Sequence, residues 1–226
     1  TPQSTNMGKY YFKQIKYYGF KELAYLHPKR FHPNINIIKN SIDVSKPFYI
    51  LRLVKLNAHH DQGKTGITDD IIDRIIELLS KHGNIYITSE KALDQKYEKF
   101  RISLPAEKIH HAIYFADLYI GDSQTMAAEA AVLGTPSIRY NDFVGKLGYL
   151  EELEHKFGLT RGIKTTEPEK LLRLLKIIIS DKSYKESLQE SRLDMLSKKI
   201  DVSAFLVWFV ETYPKSIDIM KDNPNY

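Results

Sequence analysis

The sequence predicts an α/β domain built on a Rossmann-like, doubly wound parallel sheet, with extra helices at its C-terminal end. Three observations carry this. From Pro47 onward, short apolar runs alternate with segments whose apolar residues recur at helical spacing, the pattern of strands feeding crossover helices. The stretch 116–136, ADLYIGDSQTMAAEAAVLGTP, reads as strand, tight turn, helix and stop. Beyond Pro168 the pattern turns wholly helical.

In chain order, residues 1–45 do not read as the start of such a domain. The aromatic-rich stretch from Tyr10 to Tyr25 lacks periodicity, GFKELAYLHP closes in a short helix or turn, and Pro28 and Pro33 bracket a loop. Residues 48–54 form a strand with Ile50, Leu51, Leu53 and Val54 as a buried run. A polar loop, 57–66, holds His59, His60, Asp61, Lys64 and two glycines. Thr68, Asp69 and Asp70 open a helix whose Ile71, Ile72, Ile75, Ile76 and Leu79 lie on one face, and Gly83 ends it. A strand at 84–88 follows, with Ser89, Glu90 and Lys91 at its carboxyl end.

A helix at 108–116 leads to the central strand, Leu118, Tyr119 and Ile120. Either Asp122 or Ser123 can cap the helix that Met126, Ala127, Ala130, Ala131 and Leu133 then form. Gly134 supplies a left-handed stop, and Pro136 forbids resumption. Next come a strand at 137–140, a helix at 147–157, a strand at 159–164, and a helix introduced by a capping box, Thr166 to Glu169. Helices at 168–179 and 182–198 precede an apolar one opened by Asp201. That helix, 202–210, is apolar almost all round and so is expected to be buried, with Phe205 and Phe209 packing on the sheet. The tail from Ile217 reads as frayed.

Composition narrows the classes. An apolar content of 42% and a charged content of 27% are those of a globular protein, and no apolar run approaches the ~18 residues of a membrane span. The absence of cysteine excludes disulfides and thiolate metal sites and suits a cytoplasmic setting. The net charge of +5 fits a phosphorylated small ligand or a peripheral contact with an anionic membrane surface. No clustered basic helix or nucleic-acid motif is present, so a nucleic-acid partner is not expected.

The helix that starts after Asp122 and Ser123 opens at the carboxyl end of a strand. There, free backbone N–H groups and the helix dipole suit a phosphate, and Glu129 on the same helix can accept from a ribose diol. The plainer alternative is an ordinary capped βα unit. Asp122-Ser123, Glu129-Ala130 and Leu133-Gly134-x-Pro136 resemble the nucleotide-sugar signature of GT-B-fold proteins, including the non-hydrolysing UDP-N-acetylglucosamine 2-epimerases. The epimerases carry two glycines where this chain has Gln124 and Thr125. A longer resemblance, carried by AYLHP, NAHHDQGKTG, SEK and GDSQTMAAEAAVLGTP, is to domain of unknown function 354, a family of predicted glycosyltransferases.

The resemblance implies the C-terminal half of a GT-B protein. Residues 1–45 would be a crossover from a missing N-terminal domain, 46–198 the Rossmann-like nucleotide-sugar-binding domain, and 199–226 a closing helix and tail. It further implies a UDP-linked sugar donor, with Ser123 on the phosphate and Glu129 on the ribose. The donor site is expected to comprise Asp122, Ser123, Gln124, Thr125, Met126, Glu129 and Lys64, with amides from 123 to 126 stabilising a departing diphosphate and neither metal nor cofactor needed.

His59 and His60 in the polar loop are candidate acid–base or hydrogen-bonding groups, joined by Glu90 in an epimerase reading. Adjacent histidines point apart and no further ligand follows at helical spacing, so a metal is not expected on them. His110 and His111 are expected to be structural, one of them near the uridine side. A non-catalytic nucleotide-sugar sensor is the alternative outside the enzymes. The apolar helix at 202–210 implies self-association if its partner is absent.

Overall fold

The computed structural model describes residues 1–55 and 66–223. Residues 1–47 hold a short helix α1 (Leu23–Leu26) between two 3-10 turns. Then follow β1 (Phe48–Leu53), α2 (Asp69–Leu79), β2 (Asn84–Ser89), α3 (Gln95–Glu98) and α4 (Ile109–Phe115). Next are β3 (Leu118–Gly121), α5 (Gln124–Leu133), β4 (Ser137–Tyr140), α6 (Gly148–Glu151) and β5 (Arg161–Ile163). The chain ends with α7 (Pro168–Ser180), α8 (Tyr184–Ser197), α9 (Val202–Glu211) and α10 (Lys215–Asp222).

The five strands form one sheet in the order β2-β1-β3-β4-β5, every neighbouring pair parallel. This is the Rossmann-like, doubly wound fold that the alternation predicts. The period-2 alternation of each strand divides the core. Phe48 and Ile50 of β1 and Tyr119 of β3 join α4, α5 and α8 on one face, whereas Tyr49, Leu51, Leu53, Leu118 and Ile120 join α2 and α7 on the other. Residues 1–45, expected as a crossover segment, contribute Phe20, Leu23, Leu26, Ile38 and Ile42 to the first core.

The strand order reverses between β1 and β3, because the chain lays β2 on one side of β1 and β3 on the other. Ligands of open α/β sheets bind outside the carboxyl ends at such a switch point. Here those ends are Leu53 of β1 and Gly121 of β3.

Four local expectations change. The capping box at Thr166 is not formed: Glu167 takes the N-cap without a side-chain bond, and Pro168 becomes the first helical residue. Proline lacks an N–H and its φ is already helical, so it fixes the start there. Glu169 then reaches across to Arg74 of α2. The helix expected at 147–157 widens into a π-helix over Glu152–Lys156. The tail is not frayed up to Asp222: α10 buries Met220, and Ser216 Oγ donates to the Phe209 carbonyl at 2.7 Å. Finally, α9 is not buried all round. Val202 is its single buried residue, Phe205 packs on Tyr17 rather than on the sheet, and Val207 and Val210 are 56% and 72% exposed. Its helical neighbours are α10 and, through Ser203 Oγ donating to the Ala24 carbonyl, the four-residue α1, which is too short to cover its apolar girth.

The C-terminus of α5 shows how α8 locks the core helix. Gly134 adopts φ +76, Gln189 Nε2 donates to its carbonyl at 2.9 Å, and Arg192 Nε donates to the Val132 carbonyl at 2.9 Å. A Cβ at Gly134 would lie 2.5 Å from Gln189 Nε2 and 2.8 Å from Arg192 Cδ. Gly134→Ala is therefore expected to lower stability by about 1–2 kcal/mol through the left-handed backbone and the displaced α8 contacts. Urea denaturation checks this, and a variant as stable as the parent would show that the α5 stop tolerates a side chain.

Candidate functional site

The site grows from the turn between β3 and α5. Ser123 is the N-cap of α5, its Oγ accepting from the Met126 N–H at 3.3 Å. Among the described residues no acceptor meets the Gln124 and Thr125 amides, so this end of the ten-residue helix presents free donors and the positive end of its dipole.

Asp122 has a different task from its neighbour. Its Oδ1 accepts from the Val54 N–H at 2.8 Å and its Oδ2 from the Ile67 N–H at 3.3 Å. It thereby holds both ends of the β1–α2 connection at the switch point. Burial pushes the Asp122 carboxyl up to about 6, against the pull of those two N–H groups. The connection carries three of the expected site residues, His59, His60 and Lys64, which lie outside the described residues.

Gln124 turns toward β4. Its Nε2 donates to Asn141 Oδ1 at 2.7 Å, and Asn141 Nδ2 donates in turn to the Asp122 carbonyl at 3.1 Å. Thr125 Oγ1 instead lies 3.4 Å from the Lys21 ammonium. One turn further along α5, the nearly buried Glu129 accepts at Oε1 from Tyr25 Oη at 2.8 Å, with His110 Nε2 at 3.2 Å from the same oxygen. Both of these contacts, among the described residues, fall on Oε1.

Glu129, Met126 and His110 line a cavity of about 420 Å³ together with Arg52, Thr88 and Ile102, within the range of small-ligand pockets. Arg52 donates to Thr88 Oγ1 at 3.0 Å and is ion-paired to Glu90. Glu90 thus stands at the carboxyl end of β2, engaged by Arg52 and by the Lys55 N–H at 3.4 Å. The structure brings Ser123, Gln124, Thr125, Met126 and Glu129 together around the first turns of α5.

Of the two histidines expected to be structural, His110 faces the cavity, whereas His111 Nδ1 accepts from the Asn34 N–H and its ring lies 4.9 Å from that of Phe31. Lys21, Tyr25 and Arg52 were not singled out from sequence. The signal for Tyr25 was its place in AYLHP. Lys21 and Arg52 carry none, because their partners are about a hundred and about forty residues away.

Beneath Lys21 lies Glu22, whose side chain is wholly buried. Neither of its oxygens accepts a hydrogen bond among the described residues, and Oε1 is 3.7 Å from the Lys21 ammonium. Burial pushes its carboxyl up to about 7, and the Glu129 charge adds to the rise while Lys21 opposes it. The Tyr25 and Tyr149 hydroxyls are pushed well above the usual phenol range, chiefly by burial, with Glu22 and Glu129 adding to it.

A separate acidic group, Glu151, Glu154 and His155, converges behind β4. The wholly buried Arg139 guanidinium donates to both carboxylates, so their counter-charge is already present. Among the described residues no helix is long and apolar enough to cross a membrane.

A sheet of this topology, with a helix N-terminus open at its switch point, defines a Rossmann-like α/β domain. The chain belongs to the family described as protein of unknown function DUF354, which matches residues 7–200. No curated protein matches its sequence. In structure it is similar to the wall teichoic acid polymerase TagF. A single-residue variant of that protein gives a TM-score of 0.52 at 15% identity, covering 90% of this chain and 53% of that one. A second TagF structure gives a TM-score of 0.50 at 17% identity, covering 91% and 51%. The calicheamicin glycosyltransferase CalG4 gives 0.49 at 14% identity, covering 75% and 43%. These neighbours are GT-B glycosyltransferases, and at such identities the likeness is one of fold. The chain spans about half the length of the structures it matches.

Glu22 sets a pH dependence whose sign follows from its environment. Its carboxyl rises from 4.5 to about 7 on folding, so the protonated form is favoured in the folded protein. Its contribution is fully present below the unfolded value and is lost as pH rises toward and through 7, by about 3 kcal/mol in all. Glu22→Gln is therefore expected to match the parent near pH 4 and to exceed it progressively up to pH 8. Chemical denaturation across that range measures the difference, and parallel stability curves would mean that Glu22 keeps an ordinary carboxylate pKa.

Proposed function

We propose that this chain is the nucleotide-sugar-binding half of a GT-B glycosyltransferase. The observation that carries the reading is a coincidence at the β1/β3 switch point: the open N-terminus of α5 adjoins a cavity of about 420 Å³ faced by Glu129. The fold shared with the polymerase TagF supports the general class.

In this reading the diphosphate lies on the Gln124 and Thr125 amides, with the Ser123 hydroxyl proton available to a phosphate oxygen. Glu129 Oε2 accepts from a ribose hydroxyl, and the nucleoside, expected to be uridine, fills the cavity between Met126, Ile102 and Thr88. Catalysis comes from donors already aimed at the place where the leaving diphosphate gathers negative charge, so no reorganisation accompanies bond breaking. The acceptor, and the base that deprotonates it, belong to the half of the GT-B architecture that the chain does not span. The epimerase alternative gains no support here, because Glu90 is engaged by Arg52.

Two outcomes are expected. The chain binds UDP, and Glu129→Ala weakens that binding by ~1–3 kcal/mol, the cost of one hydrogen bond to a charged acceptor. Isothermal calorimetry decides this, and unchanged affinity in a folded variant removes the ribose role. The chain alone binds without turning over, since one wall of the cleft gives uniform binding without transition-state contacts. Acceptor-dependent nucleotide release by the purified chain would overturn the half-site reading.

A further inference from the structure

We propose that the turn carrying Lys21 and Tyr25 is a second wall of the donor site, in which Lys21 binds the diphosphate and Tyr25 positions Glu129 for the ribose. This rests on the donor-site reading above and extends it to a segment that precedes the sheet.

The geometry is a ladder between two helical turns. Lys21 and Tyr25 are four residues apart, as are Thr125 and Glu129, so each pair lies on one face of its turn. Glu22 and the α1 residues that follow it take helical geometry and bring the two faces together. One rung is the Lys21 ammonium at 3.4 Å from Thr125 Oγ1, and the other is Tyr25 Oη donating to Glu129 Oε1 at 2.8 Å.

A cation at the first turn of a helix is otherwise misplaced, since the dipole there is positive. Glu22 accounts for its position. This carboxyl is fully buried and without a hydrogen bond among the described residues, and the Lys21 ammonium lies 3.7 Å from its Oε1. The contact sets Lys21 beside α5 with its side chain 54% exposed. The Tyr149 ring, 5.9 Å from the ammonium, adds a cation–π contact. Lys21 also borders a cavity of about 370 Å³ shared with Tyr149, Gly148 and Thr5, so it faces open space as well as α5.

Two amides without an acceptor among the described residues, a helix dipole and a tethered ammonium converge at this end of α5. A diphosphate supplies the charge that all three favour. Arg52, which lines the cavity with Met126 and Glu129, is taken up by Thr88 and Glu90.

Tyr25 acts through Glu129 and not on the ligand. By donating to Oε1 it holds the carboxylate of this cavity-lining residue, and His110 on the same oxygen strengthens that hold.

The test titrates the full 226-residue chain with UDP, TDP and GDP by calorimetry and carries forward the tightest ligand with its parent nucleoside. Lys21→Met is expected to weaken the diphosphate about tenfold and to leave the nucleoside within about twofold, and Lys21→Arg to restore most of the loss. Tyr25→Phe is expected to weaken both ligands about three- to tenfold, with no further loss when combined with Glu129→Gln. Diphosphate affinity unchanged in Lys21→Met, or nucleoside and diphosphate weakened equally, overturns the role of Lys21. A Tyr25→Phe variant that melts earlier but binds as before overturns the role of Tyr25. If the parent chain binds none of the three diphosphates, the donor-site reading itself fails, and this inference with it.

Discussion

The structure depends on the burial of α5. From Ala127 to Leu133 every residue of this helix is buried, and four of the seven are alanines. Side chains this small let α1, α4 and α8 approach it on one side while β3 and β4 lie against the other, so α5 is enclosed without needing an apolar stripe. A helix enclosed along its length can expose only its ends. The C-terminal end is closed by Gly134 and the α8 side chains, and the N-terminal end opens beyond the carboxyl ends of β1 and β3. The location of the anion-favouring donors is thus a consequence of core packing.

The polar groups around that opening follow from the same constraint. Asp122 is buried because it sits one residue beyond a fully buried strand, and its cost of desolvation is offset by two backbone N–H groups that the β1–α2 connection would otherwise leave unpaired. Glu129 is nearly buried because it lies on α5, and Tyr25 and His110 satisfy it. Glu22 is less well served: buried without a hydrogen bond among the described residues, it is raised toward neutrality by desolvation and by the nearby Glu129 charge. Such a group is destabilising in its charged form, and it marks the place where the packing of α1 on α5 is held against local stability.

The apolar α9 shows the other side of the accounting. Its one firm anchor is Val202, packed so closely on Gly19 that a Cβ there would meet Val202 at 2.5 Å, while the remainder of its apolar girth is only partly covered. Apolarity all round predicted burial, and the described residues do not supply it, since the helical neighbours of α9 are the four-residue α1 and the eight-residue α10, which meet only part of its surface.

The sequence by itself determined the elements and the turn on which the candidate site is built. Period-2 and helical periodicities, Ser123 as a cap, Gly134 as a stop and Pro136 beyond it are local signals, set by backbone sterics and by hydrogen bonds within a few residues, and they hold in the structure. Local signals also erred locally: Thr166 looked like a cap until Pro168 fixed the helix start, and the tail looked frayed until Met220 found a place to pack. Only the tertiary structure decided the strand order 2-1-3-4-5, and with it the switch point where Arg52 pairs with Gly121. It alone decided that Asp122 faces backbone, that His110 and not His111 faces the cavity, and that Lys21 and Tyr25 meet Thr125 and Glu129 across 104 residues of chain. The physical reason is range: periodicity records which face of an element is apolar, whereas the identity of the partner facing it is set by packing between elements that no local pattern encodes.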